Sequence, residues 1–228
     1  MILMGYLAFF DAPKKTAKTS VAALRKLKVA PKVLTGDQAK VAVSICRRVG
    51  IVPEKMLTGT DIDAMSDSTL REAVETTNVF AALTPGQKAR LVSAMRQNGH
   101  TVGFLGDGIN DIPALCEANV GISVDTAVDA AKDAADVVLL QKDLGVLEQG
   151  ILEGRKTFTN MLKYIKITAS SNFGNIFSIV CASAFLPFLP MTALQILLLN
   201  LLYDSLCIVL PWDKLDEEET LAPRDWSG

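Results

Sequence analysis

Short apolar runs alternate with amphipathic stretches over the first 140 residues of the chain. Apolar runs of four to six residues predict strands, whereas amphipathic stretches predict helices. The predicted strands are Tyr6–Phe10, Lys32–Leu34, Val79–Ala82, Thr101–Leu105, Val120–Val124 and Val137–Leu140. The predicted helices are Thr16–Leu27, Gln38–Val49, Pro85–Gln97, Ile112–Glu117 and Thr126–Ala134. This alternation favours an α/β fold with a Rossmann-type parallel sheet and helices on both faces.

The pattern changes after about residue 165, where the chain becomes almost continuously apolar. From Phe173 to Leu210 the only carboxylic acid is Asp204, and Lys, Arg, Glu and His are absent. Two apolar segments, at about 165–186 and 193–210, approach the roughly 20 residues that cross a bilayer. The connection between them is uncharged and suits a tight hairpin. We therefore predict a two-helix transmembrane hairpin, with a pair of buried core helices as the alternative.

Charged residues flank the apolar segments on both sides. The amphipathic stretch 144–163 leads into a basic group that consists of Arg155, Lys156, Lys163 and Lys166. Basic residues before a span favour the cytosolic side, and two spans return the acidic tail to that side. The predicted organisation is an α/β domain over 1–143, a stalk helix over 144–164, the hairpin over 165–211 and an acidic cytosolic tail over 212–228.

The overall charge argues against nucleic-acid binding, and the cysteine spacing indicates free thiols. The formal net charge of −2 provides no basic face, and no nucleic-acid-binding motif is present, so we expect no nucleic-acid partner. The cysteines lie far apart without a CxxC spacing and are expected to be free thiols: Cys46, Cys116, Cys181 and Cys207.

A glycine-rich segment with two acids follows the predicted strand that ends at Leu105. It reads Gly106-Asp107-Gly108-Ile109-Asn110-Asp111. Glycine allows close approach of the backbone, and carboxylates are hard oxygen ligands, so the segment is suited to a divalent cation. A tight turn with an aspartate helix cap is the alternative interpretation.

Two further segments stand at strand-to-helix junctions. Thr35-Gly36-Asp37 offers a hydroxyl and a backbone N–H to a phosphoryl oxygen. Thr84 to Lys88 opens a helix with proline near its start, and places a lysine one turn in, where it can neutralise phosphate charge. Taken alone, the first is also typical of a turn and the second of a solvated face. Parallel sheets bind ligands at the carboxyl ends of their strands, which is where these segments lie.

Polar residues recur with helical spacing in the two apolar segments. Asn172 and Asn175 are three residues apart in the first, and Asn200, Tyr203 and Asp204 fall within one turn in the second. Such spacings place side chains on one helix face. An unpaired aspartate near the bilayer centre costs about 3 kcal/mol, so an ion path is favoured. Hydrogen bonding between helices is the alternative for the asparagines.

Together these segments resemble the C-terminal part of P-type cation-transporting ATPases, in which the phosphorylation domain has a haloacid-dehalogenase-like fold. Asp11-Ala12-Pro13-Lys14 is similar to the family's D-P-P-[KR], with Ala12 departing from it. Further matching segments are Val120–Ser123, Ala134–Asp136 and Gly154-Arg155. The wording of Leu199–Asp204, followed by Pro211 and an acidic stretch, resembles the magnesium-transporting branch.

The resemblance implies a role for each matching residue. Asp107 and Asp111 would serve the catalytic Mg²⁺ and Asn110 the phosphate, while Lys88 would contact the phosphoryl group of an intermediate formed from ATP. Residues lining the same pocket would be Thr35, Gly36 and Asp37. The fifth and sixth transmembrane helices would supply the site of the transported cation, with Mg²⁺ the expected ion, through Asn172, Asn175, Asn200 and Asp204.

The family's phosphorylated aspartate lies in D-K-T-G-T, which this sequence does not contain. Leu57–Asp61 resembles the end of that motif and is interpreted as a surface turn. Without a carboxylate nucleophile no covalent intermediate forms, so the isolated chain is predicted to be inactive.

Two functions remain open. The first is part of an ATP-driven magnesium pump in the plasma membrane, with the α/β domain cytosolic and the missing part of the pump as a partner. The second is a non-catalytic membrane protein that binds Mg²⁺ or a partner pump. A soluble phosphatase of the same superfamily is excluded by the two spans and the missing nucleophile.

Overall fold

Two compact units make up the chain in the computed structural model. The structure describes Lys14 and residues 16–53, 55–141, 143–188 and 190–224. The first unit extends to Glu148, and the second begins at Gln149. The predicted strand Tyr6–Phe10 and the residues Asp11, Ala12 and Pro13 lie outside the described residues.

Strands and helices alternate along the first unit. The strands are β1 (Val33–Leu34), β2 (Met56–Thr58), β3 (Val79–Ala81), β4 (Gly103–Leu105), β5 (Val120–Val124) and β6 (Val137–Leu139). The helices are α1 (Ala17–Lys26), α2 (Ala39–Arg48), α3 (Gly59–Ala64), α4 (Asp67–Thr76), α5 (Pro85–Gln97), α6 (Ile112–Glu117) and α7 (Asp129–Asp133). A 3₁₀ helix, Ile109–Asp111, precedes α6.

All strand pairs among the described residues are parallel, as the sequence predicts. They form two three-stranded sheets, with the orders β1-β3-β2 and β4-β5-β6, rather than one continuous sheet. In the first sheet Phe80 of β3 is the register partner of both Leu34 and Leu57, and in the second Leu105 of β4 pairs with Ile122. Strands β1 and β4 are therefore each an outer strand of their described sheet.

Helices cover both faces of the first sheet. Side chains alternate between faces along a strand, and in β3 Val79 and Ala81 pack in one cluster with Val21 of α1 and Cys46 of α2. Phe80, between them, packs on the opposite face against residues of α4 and α5 that include Leu70, Val74 and Leu91. The prediction of a parallel sheet with helices on both faces is confirmed for this sheet.

Phe80 is fully buried at the centre of this packing. We expect Phe80→Ala to lower the free energy of unfolding by about 3–5 kcal/mol, because it removes a buried ring and leaves a cavity. Val41 of α2 is 47% exposed, and Val41→Ala is the matched control, with an expected change within about 0.5 kcal/mol. Urea unfolding of the detergent-solubilised chain, followed by circular dichroism, measures both. Equal losses for the two variants would contradict the packing described.

The interpretation of Leu57–Asp61 as a surface turn is wrong. Leu57 is in β2 and is 8% exposed, and Gly59 begins α3. The Thr58 backbone N–H donates to Asp61 Oδ2 over 2.7 Å, which completes a capping box. A Cβ on Gly59 would lie 2.6 Å from the Ala82 carbonyl oxygen, so the close approach of the two backbones requires glycine here.

The second unit is helical. Its elements are α8 (Leu144–Phe185), which starts before the unit boundary, α9 (Ala193–Cys207), a 3₁₀ helix at Leu210–Trp212 and α10 (Glu217–Leu221). The predicted stalk helix and first span form one helix of 42 residues. Within the described part of the chain, one segment is long and apolar enough to cross a membrane: Ala193–Trp212, with a mean hydropathy of 2.0.

Candidate functional site

A cavity of about 490 Å³ lies in the first unit beside the carboxyl ends of β1 and β4. Its polar lining includes Thr35, Lys88, Asp107, Asp111 and Asp143. Its apolar wall includes Leu34, Phe104, Leu105, Val124 and Leu139. Charged side chains thus meet an apolar wall in one space, where electrostatic interactions are stronger than in bulk water.

The loop after β4 is held by its glycine and by a buried serine. A Cβ on Gly106 would lie 2.5 Å from Asp111 Cβ, so only glycine allows the loop to fold back on this aspartate. The Gly106 N–H donates to the Ile122 carbonyl over 3.0 Å. Ser123, which is fully buried, donates its hydroxyl to the Gly106 carbonyl, also over 3.0 Å. These contacts fix the backbone that carries Asp107.

Lys88 and Asp111 form an ion pair in the cavity. Lys88 Nζ donates to Asp111 Oδ1 over 2.7 Å, and the side chains are 11% and 16% exposed. The start of α5 places this lysine: Thr84 is the N-cap, Pro85 follows it, and Gln87 completes a capping box. The predicted helix start is therefore confirmed. The ion pair places a positive charge next to a carboxylate at a site that is partly shielded from solvent.

The loop after β1 folds around Thr35. Its hydroxyl donates to Asp37 Oδ2 and accepts from the Asp37 backbone N–H, each over 3.1 Å. The Leu83 N–H donates to the Thr35 carbonyl over 3.1 Å, next to Ala82, whose φ of 53° is in the left-handed region. A non-glycine residue with such a φ is strained, and the strain persists where surrounding contacts hold the loop in one conformation.

The structure brings together only some of the residues predicted at this end of the sheet. Thr35, Lys88, Asp107 and Asp111 all line the cavity, whereas the described lining does not include Gly36, Asp37 or Asn110. The exposed Asn110 belongs to the 3₁₀ helix that leads away from the loop.

Asp143 is a cavity residue that the sequence reasoning missed. Its Oδ1 accepts from the Gly145 N–H over 2.8 Å, and its Oδ2 accepts from the Thr16 hydroxyl over 3.4 Å. It follows β6, so the rule that ligands bind at the carboxyl ends of parallel strands was the signal that could have found it.

The carboxylates of the cavity suit Mg²⁺ better than a cation whose ligands must all come from the protein. No group of three or more His, Cys, Asp or Glu side chains with metal-binding geometry is found among the described residues. Mg²⁺ commonly takes one or two carboxylates and completes its shell with water and substrate phosphate oxygens. Asp107 and Asp111 fit that requirement, with Lys88 already bonded to one oxygen of Asp111.

The polar residues of the apolar segments lie on α8 and α9. Asn175 and Asn200 are half-buried, whereas Asn172 and Asp204 are exposed. No hydrogen bond or ion pair joins Asp204 to any residue that the structure describes. Its carboxylate is the only ionised side chain expected on α9, whose other polar residues are Gln195, Asn200, Tyr203 and Ser205.

Comparisons with known proteins agree on one family. The model of the haloacid dehalogenase-like hydrolases matches residues 2–119. "Magnesium-transporting ATPase, P-type 1" of Salmonella typhimurium is 56% identical over the whole chain, which covers 25% of that relative. The protein of the same name from Escherichia coli K12 is 52% identical, with 100% and 25% covered. The chain thus spans about a quarter of the length of these curated relatives.

A solved structure is similar to this chain over most of its length. It is the crystal structure of a zinc-transporting PIB-type ATPase in the E2.Pi state, with a TM-score of 0.62 and 26% identity over 92% of this chain and 28% of that one. The predicted haloacid-dehalogenase-like fold and the resemblance to a part of the magnesium-transporting P-type ATPases are confirmed.

Proposed function

Because the chain belongs to the haloacid dehalogenase-like hydrolase family, we propose that it forms part of an ATP-driven P-type pump that moves Mg²⁺ across the plasma membrane. The observation that carries the proposal is the cavity in which Lys88, Asp107 and Asp111 meet, within a chain that also bears an apolar helix with an unpaired acid. The names of the relatives that match the whole chain support the choice of ion.

The cavity would provide the metal ligands and the positive charge that phosphoryl transfer requires, but not the nucleophile. Asp107 and Asp111 would hold the catalytic Mg²⁺, which supplies charge stabilisation at the phosphoryl oxygens when bound. Lys88 would add positive charge on the phosphoryl group, and Thr35 would donate its hydroxyl to it. Gly36, Asp37 and Asn110 remain predicted contributors from the surrounding loops.

The nucleophile would come from a strand outside the 228 residues of this sequence. The Val33 N–H donates to the carbonyl of Asn78, just before β3, over 2.9 Å, and the Thr35 N–H donates to that of Phe80 in β3 over 3.0 Å. The intervening Leu34 therefore directs its backbone groups to the other side of β1. Leu105 of β4 is 41% exposed and lines the same cavity. We propose that a strand ending in D-K-T-G-T adds between these two outer strands, with its aspartate beside Lys88 and Asp107.

The second unit would provide half of a membrane site. In this proposal 165–186 and 193–210 are the two spans of a hairpin, 144–164 is the cytosolic stalk, and 1–143 and 212–228 are cytosolic. Asn172, Asn175, Asn200 and Asp204 would face the transported cation. Four polar groups with a single charge suit an ion that keeps part of its hydration shell, as Mg²⁺ does.

A non-catalytic membrane protein that binds Mg²⁺ or a partner pump is the second candidate. In that candidate the 228 residues would bind Mg²⁺ through the carboxylates of the cavity without forming a covalent intermediate, because they carry no D-K-T-G-T aspartate.

A chimera separates the two candidates. The chain replaces the matching quarter of the Salmonella typhimurium relative, and the chimera is tested for a phosphoenzyme from labelled ATP and for Mg²⁺ uptake. We expect both activities, because the missing strand and the nucleotide-binding region are then present. The same membranes with the isolated chain should form no phosphoenzyme. A folded chimera that neither phosphorylates nor transports would leave the non-catalytic candidate.

A further inference from the structure

Burial in the second unit is concentrated on one short stretch of α8. Of its 42 residues, the buried ones are Thr159, Asn160 and Leu162. The chain that follows α9 reaches this stretch: Asn160 Nδ2 donates to the Pro211 carbonyl over 3.5 Å. Thr220 of α10 is itself 5% exposed. The segment after α9 therefore packs back on α8 instead of extending into solvent.

Two basic side chains of α8 bind this returning segment. Arg155 Nη1 donates to the carbonyl oxygens of Thr220 and Leu221 over 2.9 and 3.0 Å. Lys163 Nζ donates to Asp213 Oδ2 over 2.7 Å. Arg155 and Lys163 are eight residues apart and so lie on one face of the helix. We call this set of contacts the clasp.

Charge complementarity explains why these segments meet. Residues 213–219 contain five acids and one lysine and are therefore negatively charged, whereas the basic group of α8 is positively charged. The clasp residues stand close in sequence to the polar membrane residues: Lys163 precedes Asn172 by nine positions, and Asp213 follows Asp204 by nine. On α8 nine residues correspond to about 13 Å. The clasp is thus about two and a half turns from Asn172.

We propose that Lys163 and Asp213 are positioning residues, which fix how far α9 slides along α8 and so hold Asp204 at the height of Asn172. This inference rests on the proposed function, since the cation site it positions is part of that proposal. An ion pair between α8 and the segment that follows α9 sets their relative height because one turn of slippage, about 5.4 Å, separates its charges.

Charge reversal and charge exchange in the chimera test the clasp. Lys163→Glu or Asp213→Lys should raise the Mg²⁺ concentration for half-maximal ATP hydrolysis about fivefold, the low end for coupling between separated sites. The maximal rate should change by less than twofold, because the phosphate site is untouched. The double exchange, Lys163→Glu with Asp213→Lys, should restore the half-maximal concentration. Lys163→Gln provides a neutral variant if the reversals fail to fold.

The pair Glu153 and Lys156 is the matched control. It lies on the same helix, with a separation of 2.8 Å and side chains 59% and 46% exposed, and makes no described contact with the returning segment. Lys156→Glu should leave the half-maximal concentration unchanged. An equal shift for Lys156→Glu and Lys163→Glu, or no recovery in the double exchange, would overturn the proposal.

Cross-linking keeps the test independent of activity. In a background without native cysteines, Lys163→Cys with Asp213→Cys should be joined in membranes by a short bis-maleimide reagent, which spans the gap left by the shortened lysine side chain, and mass spectrometry of the digest identifies the product. Lys156→Cys with Asp213→Cys should not. Failure of the first pair to cross-link overturns the clasp even if the chimera transports Mg²⁺. A cross-linked but inactive chimera would instead count against the proposed function.

Discussion

Asp107→Asn in the chimera is expected to reduce phosphoenzyme formation from ATP by at least about a hundredfold. Asparagine keeps the size of the side chain but removes the charge that would hold the catalytic Mg²⁺ against the phosphoryl group. Loss of one preorganised electrostatic group at a reacting centre costs on the order of 10²–10³ in rate. The effect should be large because the contacts of Gly106 and Ser123 hold the backbone that carries residue 107, so the uncharged asparagine stays at the position where the charge is required.

The measurement is incorporation of labelled phosphate at a fixed ATP concentration over a range of Mg²⁺. Asp63→Asn is the matched control, since Asp63 is exposed on α3 and does not line the cavity. It should phosphorylate like the unsubstituted chimera. Unchanged phosphorylation in Asp107→Asn would remove this residue from the metal site and leave the turn interpretation of the glycine-rich segment.

The alternation of apolar and amphipathic segments was sufficient to predict most of the first unit. The predicted strand Val120–Val124 and the helices Pro85–Gln97 and Ile112–Glu117 have the bounds found in the structure. Proline at the first helical position and a threonine before it mark the start of α5 through local chemistry alone, so the prediction there did not depend on tertiary contacts.

Three elements between residues 50 and 78 were missed, and two of them, β2 and α3, are short. The third, α4, has ten residues and an N-cap at Ser66 that accepts from the Thr69 N–H, a signal that could have found it. Strand β2 has three residues, of which only Leu57 is buried, and α3 has six residues. Segments of this size owe their conformation to the packing of Leu57 and Ile62 in the core, which sequence periodicity does not report.

The position of the cavity was predictable from the sequence, but the set of residues that line it was not. The rule for carboxyl ends of strands identified Thr35 and Asp107, and applies equally to Asp143 after β6. The rule does not say which residues of a loop reach the cavity. Asp37 is two residues from Thr35 and Asn110 is one residue from Asp111, yet neither belongs to the described lining. That distinction depends on loop geometry, such as the hydrogen bonds by which Thr35 holds Asp37.

Asp204→Ala in the chimera is expected to abolish growth that depends on Mg²⁺ uptake, in a strain without other magnesium transporters. Asp204 lies in the apolar segment Ala193–Trp212 and has no hydrogen bond or ion pair with any residue that the structure describes. Keeping an unpaired carboxylate there costs about 3 kcal/mol, a cost that a bound cation offsets. Removing the charge should therefore abolish transport while it stabilises the helix in the membrane.

These opposite effects on transport and stability distinguish an ion ligand from a packing residue. Ser205→Ala is the matched control, because the Ser205 hydroxyl donates to the Leu201 carbonyl of its own helix over 2.8 Å. It should support growth, and both variants should reach the membrane in amounts similar to the unsubstituted chimera. Asp204→Asn keeps hydrogen bonding without the charge. Growth with Asp204→Asn but not with Asp204→Ala would assign Asp204 to hydrogen bonding between helices, whereas loss of growth in both, at normal protein levels, would assign it to the cation.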